Sequence, residues 1–434
     1  METRQEGGAE ARDPMRIAMV GDADKGGGAA IAATRLFDQL LANGHHVNRF
    51  VVRKIGDEAT THACGEHSFF RRNLLRALWR TGFREYHDRV SRHFFSDGLA
   101  EKVRAFGPEV VNVHNLHAAG LSVDLLPRLC PGGGTPLVWT LHDMWAMTGH
   151  CAYSYDCDKF AGECDGSCPS PAEYPALHSS RIPASFALRK QVYGRMRNLV
   201  FVTPSRWLAG EAARGILSGH PVFVIPNGID MAVFFPEKKE TSREILGLPQ
   251  GRRILLTGAA HLKDKRKGMH LLVDSLRSLQ SRGDYLLVTF GRDVGDSALQ
   301  GAGVEVREMG QVREQNRQRL MYSAADAFIL PTLADNLPNV LVESIACGTP
   351  CVSFAVGGVS EVVQPGKTGF LARAKDPDDL AAAILALFSL SPERRTDLAA
   401  SCRTVAERDY SRALQGGRYE KLFADLVASA RGSG

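Results

Sequence analysis

A chain of 434 residues is too long for one ordinary hydrophobic core and suits two domains of roughly 200 residues each. With 44% hydrophobic and 23% charged residues it reads as globular, and a net charge of +5 is too weak to argue for nucleic acid, although it suits an anionic ligand or an acidic membrane surface. No apolar run reaches the ~18 residues that cross a bilayer, the polar opening METRQEGGAEARDP lacks a signal's hydrophobic region, and nine cysteines, an odd number, fit a reducing compartment. The expected location is therefore the cytoplasm, including the inner face of the cytoplasmic membrane.

After a lead-in expected to be disordered (residues 1–14), RIAMVGD reads as an apolar strand, followed by the loop ADKGGG and the helix AAIAATRLFDQLLANG, which Gly44 ends. HHVNRFVV, PEVVNVHN, PLVWTLHD and NLVFVTPS are further short strands, each running into polar residues. Short apolar strands spaced by helical segments predict a parallel sheet covered on both faces, here over residues 15–215. GHPVFVIPNGID, with Pro226 and the turn pair Asn227 and Gly228, reads as a crossing linker. The scheme then repeats over 216–400, with RRILLTGA, YLLVTFG, VEVREMG, DAFILPT, TPCVSFA and TGFLARA as strands. GMHLLVDSLRSLQ, NRQRLMYSAA and PDDLAAAILALFS are its helices, and residues 401–434 form a terminal helix expected to pack back toward the first domain. The predicted fold is α/β: two doubly wound, Rossmann-like domains facing each other across a cleft. Ligands of such sheets sit beyond the carboxyl ends of the strands.

One such loop is LADNLPNVLVESIACGTP, which sets Asp335 and Glu343 eight positions apart around a helix expected to begin near Asn336 to Pro338. Glu343 heads a narrow polar stripe on an apolar helix, and Asp335 stands where free N–H groups and the positive dipole end suit a phosphate. The plainer alternative is that Asp335 caps the helix and Glu343 pairs with a nearby base. HLKDKRKG places Lys263, Lys265, Arg266 and Lys267 in a loop between a strand and a helix, either as a solvated charge run or as a diphosphate neutraliser. Gly26, Gly27 and Gly28 allow close backbone approach to a ligand, or simply make a tight turn. They match neither a Walker motif nor a dinucleotide fingerprint, and the next strand ends in Arg53 and Lys54 instead of a ribose-binding acid, which counts against a dehydrogenase.

These strings in this order resemble retaining glycosyltransferases of the GT-B fold, specifically glycosyltransferase family 4. DKGGGAAIAATRLFDQLL, VIPNGID, RKGMHLLVDSL, YSAADAFILPTLADNLPNVLVESIACGTPCVSF and GGVSEVVQPGKTGFLA carry the resemblance over nearly the whole chain. HDMWAMTGHCAYSYDC is similar to a bacterial branch that builds exopolysaccharide and other surface glycans. The resemblance implies that Glu343 holds the nucleotide ribose and that Asp335 faces the donor sugar. Asp335 stands where the family has glutamate, so either its loop sits closer or Asn336 and the backbone at Leu337 and Pro338 take over part of the contact. Lys267 matches the family's Lys-Gly and would neutralise the diphosphate. Leu262 replaces the family's arginine, a part left to Arg266. Gly27 and Gly28 complete the donor side. His114 or His117 matches a histidine near the donor sugar, and His142 with Asp143 is an acceptor-side candidate.

Cys151, Cys157, Cys164 and Cys168 fall within 18 residues. They would either close a tetrahedral zinc site or stand as unliganded thiols, their spacing being looser than that of common zinc pairs. FFRRNLLRALWRTGFREYHDRVSRHFF, from Phe69 to Phe95, is basic and aromatic at helical spacing; it packs on the first domain or, as the runner-up, attaches to an anionic membrane carrying a lipid-linked acceptor. The expected activity is transfer of a hexose-type unit from a nucleoside diphosphate sugar to a glycan or lipid-linked acceptor, with retention, no cofactor needed for catalysis and no nucleic-acid partner. The rivals are a nucleotide-sugar epimerase of similar architecture and a non-catalytic assembly scaffold.

Overall fold

The computed structural model describes residues 13–64, 98–281, 283–292, 299 and 301–432. The basic segment Phe69 to Phe95 and nearly all of the lead-in lie outside them. The first sheet contains β1 (Arg16–Ala23), β2 (His46–Arg53), β3 (Thr61–Ala63), β4 (Val110–Val113), β5 (Leu137–Thr140), β6 (Leu199–Thr203) and β7 (Val222–Val224). The second contains β8 (Arg253–His261), β9 (Tyr285–Arg292), β10 (Glu305–Glu308), β11 (Ala327–Leu330), β12 (Cys351–Phe354) and β13 (Gly369–Ala372). The helices that bear on the site are α1 (Gly27–Ala42), α2 (Ile182–Gly194), α3 (Arg206–Arg214), α4 (Met269–Arg277), α5 (Gln315–Ala324), α6 (Asn339–Ala346), α7 (Pro377–Phe388), α8 (Pro392–Tyr410) and α9 (Arg412–Gly432).

The strand orders are 3-2-1-4-5-6-7 and 10-9-8-11-12-13, and every recorded pairing is parallel. Strands such as β4, β5, β6 and β11 are buried along their whole length, as sheets covered by helices on both faces require. The order reverses between β1 and β4 in one sheet and between β8 and β11 in the other, and these switch points open the crevices where α/β sheets hold ligands. Two details depart from the sequence expectation. Val222–Val224, read as linker, adds an edge strand to the first sheet beyond residue 215, and Thr61–Ala63 adds one at the opposite edge. Three-residue edge strands are too short for alternation to mark them.

Two crossings join the domains, and they lie side by side. Ile229 N–H donates to the Tyr410 carbonyl at 2.9 Å, and Arg412 N–H donates to the Ile229 carbonyl at 2.8 Å. Gly228 permits this approach, since a Cβ there would stand 2.7 Å from the Arg412 Cα. Beyond the crossing α8 stays with the second domain, burying Cys402, Val405 and Ala406 in its core. α9 instead lies on the first sheet, where Tyr419, Leu422, Phe423 and Val427 bury against Ile17, Phe37 and Val202. The Tyr419 hydroxyl meets Thr140 Oγ1 at 2.8 Å, so its polar end is satisfied inside the core. No helix among the described residues is long and apolar enough to cross a membrane.

Truncating Phe423 to alanine should therefore lower the denaturation free energy of the first domain by about 3–5 kcal/mol, which urea titration followed by tryptophan fluorescence would register.

Candidate functional site

The loop after β8 folds into one 3-10 turn, Lys265–Lys267, because Asp264 accepts the Arg266 N–H at 2.9 Å. Gly268 closes it at φ 65°, and its bare Cα lets the Pro331 carbonyl approach to where a Cβ would stand only 1.9 Å away. The loop after β11 is thereby drawn onto the turn: Leu333 N–H and the Thr332 hydroxyl both donate to the Arg266 carbonyl. Asp335 then meets Lys267 Nζ at 2.6 Å and Arg266 Nη1 at 3.1 Å. Burial alone would raise the Asp335 pKa, but these two cations hold it below the usual carboxylate value. Burial likewise pulls Lys267 below the ordinary lysine value, against the attraction of Asp335. The charge run is thus a pair of converged cations facing a carboxylate, and Arg266 also stacks over the half-buried Tyr153 ring of the first domain at 4.9 Å.

The helix expected near Asn336 to Pro338 starts at Asn339, with Pro338 as its extended N-cap. Besides the two cations, Asp335 accepts the neighbouring Asn336 N–H at 3.1 Å, and it does not cap the helix. Leu337 packs into the second domain's apolar core, so any contact it makes to a ligand in the cleft is through its backbone. Asn336 is buried and reaches the first domain: its Nδ2 donates to the His142 carbonyl at 3.1 Å, and its Oδ1 accepts the Ser205 hydroxyl.

Glu343 is partnered on both oxygens. Arg35 Nη2, from α1 of the first domain, stands 2.6 Å from Oε1, and the Tyr322 hydroxyl donates to Oε2 at 2.9 Å. The pair is buried, with 7% of each side chain exposed. The pairing of Glu343 with a base is therefore real, but the base comes from the other domain, 308 residues away in sequence. Gly26 and Gly27 have positive φ and are solvent-exposed, and the Gly28 carbonyl accepts from Asn339 Nδ2 at 3.0 Å. Glu361 completes the contact by accepting the free N–H groups of Arg206 and Trp207 at the start of α3. Sequence reasoning missed Arg35, Ser205, Tyr322 and Glu361. Arg35 alone left a trace, as the single base in the otherwise apolar and small stretch that follows the glycines.

In the first domain the histidines separate into two pairs. His114 and His142 stack with a 3.0 Å contact between Nδ1 and Nε2. Burial pushes both down: His114 well below its ordinary value, with repulsion from His142 adding to the shift, and His142 to about 4, with His117 lowering it further against the pull of Asp143. His117 instead faces Asp143, at 3.4 Å, with its ring against Trp145. A cavity of about 200 Å³ lies among His114, His117, His142, Asp143 and Trp145, and one of about 280 Å³ is lined by Asp22, Arg49, His114 and Asn115.

The four clustered cysteines, read from the sequence either as a zinc site or as unliganded thiols, have separate surroundings. Cys164 Sγ accepts the Gly149 N–H at 3.2 Å, Cys168 Sγ lies 3.5 Å from His150 Nε2, and burial pushes the Cys151 thiol up to about 12. Among the described residues no three His, Cys, Asp or Glu side chains are placed to hold one metal ion.

Two stretches match known families: residues 26–233 match Glycosyltransferase Family 4, and residues 251–389 match Glycosyl transferases group 1. The chain belongs to glycosyltransferase family 4. This glycosyltransferase is 27% identical over 364 residues to WcaC of Escherichia coli K12, a proposed colanic acid biosynthesis glycosyl transferase, covering 79% of this chain and 84% of WcaC. In fold it superposes on sucrose-phosphate synthase from Thermosynechococcus elongatus with a TM-score of 0.72 at 20% identity, covering 96% and 100% of the two chains. Anabaena HepE, in complex with UDP-glucose, gives 0.64 at 16% identity, again over 96% and 100%. The family-4 transferase thus has the GT-B architecture.

Two predictions follow from the paired charges. His114 and His142 are neutral when folded and protonate near 6.5 when unfolded, so their contribution to stability is complete above pH 6.5 and lost as pH falls toward 4. Each unit over which His142 stays neutral against an unfolded value of 6.5 is worth about 1.4 kcal/mol. Calorimetric melting between pH 7 and 4 should show the decline, shallower in His142→Asn. Separately, Arg35→Ala should destabilise the chain by about 3–5 kcal/mol, because it strands a buried carboxylate. A double-mutant cycle with Glu343→Gln should recover part of that loss.

Proposed function

We propose that this glycosyltransferase transfers a hexose-type unit from a nucleoside diphosphate sugar to a glycan or lipid-linked acceptor of a surface polysaccharide, with retention at the anomeric carbon. The observation that carries this reading is the convergence of Lys267 and Arg266 on Asp335 in the loops after β8 and β11, with Glu343 in the helix that follows and Asn336 bonded to the His142 carbonyl just past β5. A sugar nucleotide needs two things that this arrangement offers. Its diphosphate needs fixed positive charge, and its ribose needs a carboxylate acceptor.

The chemistry follows from where charge develops. As the bond from the anomeric carbon to the diphosphate breaks, negative charge grows on the leaving oxygen, and Lys267 with Arg266 stabilises it from positions already set by the turn at Gly268. Asp335 occupies those cations in the structure, so an arriving diphosphate competes with a carboxylate for them. Glu343 serves the ribose once Arg35 shares or yields it. Glu343 and Asn336 are buried in contacts with the first domain. Donor entry therefore requires the interdomain contacts at Glu343 and Asn336 to part, and closing them again excludes water from the reacting carbon. The resemblance to HepE, whose structure holds UDP-glucose, supports a uridine nucleotide as the first donor to try.

Calorimetric titration with UDP, GDP and their common sugar conjugates tests this reading. One base should bind, and Glu343→Ala should weaken it roughly 10- to 100-fold through loss of a charged hydrogen-bond acceptor. Lys267→Ala should weaken the diphosphate selectively and flatten the salt dependence. Absence of binding to every nucleotide would leave a scaffold as the better reading, and sugar interconversion without acceptor would leave an epimerase.

A further inference from the structure

Tyr174 is 58% exposed, in the loop that leaves β5. A single exposed aromatic is ordinary, but this one is fastened through its backbone and through one contact of its ring. Its carbonyl accepts the Ala152 N–H at 2.8 Å, and the next carbonyl, of Pro175, meets His150 Nδ1 at 3.1 Å. Its ring stands edge-on to His117, 5.5 Å between centroids, and His117 in turn is wedged between Trp145 and Asp143. The ring is therefore pre-positioned, and a ligand that stacks on it spends little on ordering it.

Around the ring lie the carboxyl ends of the first sheet. Asp22 belongs to the carboxyl-terminal end of β1 and Arg53 closes β2, with 3.6 Å between Oδ2 and Nη2. Asp22 and Asp143 are both near enough to Tyr174 to act on it electrostatically. Two carboxylates against one guanidinium, itself facing Asp22, leave this patch without the positive charge that a phosphate demands. They offer instead acceptors for hydroxyl donors beside a flat apolar face, which is the recognition pattern of a sugar ring.

The loop also points the way to the donor. Tyr155 adopts φ 50°, a conformation that costs a bulky residue energy, and it lies within electrostatic reach of Arg266 and Asp264 of the second domain. One segment thus runs from Tyr174 on the first domain's floor to the cations proposed for the leaving diphosphate.

We propose that Tyr174, with Asp22, Asp143 and Arg53 around it, is a subsite for a pyranose ring of the acceptor. The proposal rests on the transferase reading given above, and it assigns the acceptor's sugar to stacking on Tyr174 and hydroxyl contacts with Asp22 and Asp143. Saturation-transfer NMR on the full chain, with p-nitrophenyl gluco-, galacto- and mannopyranosides in the presence of UDP or GDP, tests it. At least one glycoside should show contact through its ring protons. Its affinity should fall roughly tenfold in Tyr174→Ala, remain in Tyr174→Phe, and fall in Asp22→Asn, which keeps the side-chain shape. Nucleotide calorimetry on the same variants reports whether each is folded on the donor side. Contact that survives both Tyr174→Ala and Asp22→Asn overturns the subsite, as does a wild-type chain that binds nucleotide and none of the glycosides. A wild-type chain that binds neither nucleotide nor glycoside removes the transferase reading along with it.

Discussion

A buried ion pair between domains organises this molecule. Arg35 and Glu343 are both withdrawn from water, and charges in that position are tolerable only while they face each other. Their partnership therefore ties the orientation of α1 to that of α6, and with it the first domain to the second. The same carboxylate is the one proposed to hold a nucleotide ribose. Domain closure and the readiness of the donor site are consequently two aspects of one contact, and a ligand that reaches Glu343 acts on both.

The remaining interdomain contacts follow from that approach. Asn336 bridges to the His142 carbonyl and to Ser205, Glu361 covers the open N-terminus of α3, and Asn339 meets the glycine loop. Gly358 is small for the same reason, since a Cβ there would stand 1.9 Å from the Asn336 carbonyl and 2.8 Å from the Ser205 Cβ. The loop after β11 lies directly on the Lys265–Lys267 turn, fastened by Leu333 and Thr332 to one carbonyl.

Much of the fold was legible because it is written in local patterns. Short, fully apolar strands alternating with helices predict parallel sheets, and the strands of both domains other than β3 and β7 were located that way. Lys267 and Gly268 were legible from a strand, loop and helix context, and Glu343 from its place on a polar stripe. The helix start at Asn339 was displaced from the expected position because Pro338 remains extended, a choice that favourable first-turn chemistry at proline does not settle. The two edge strands were missed because three residues carry no period.

By itself the sequence determined the two-domain α/β architecture, the family, and the residue types that face the cleft, since each depends on spacing along one segment. Only the tertiary structure decided which charges meet. Arg35 with Glu343, Asp335 with Lys267 and Arg266, and His117 with Asp143 are each drawn from separate strands or domains, 308, 68 and 69, and 26 positions apart in the chain. It likewise decided that His114 is buried with His142 stacked on it, while Tyr174 is exposed. Burial and pairing depend on what the folded chain brings alongside a residue, and no local pattern encodes that.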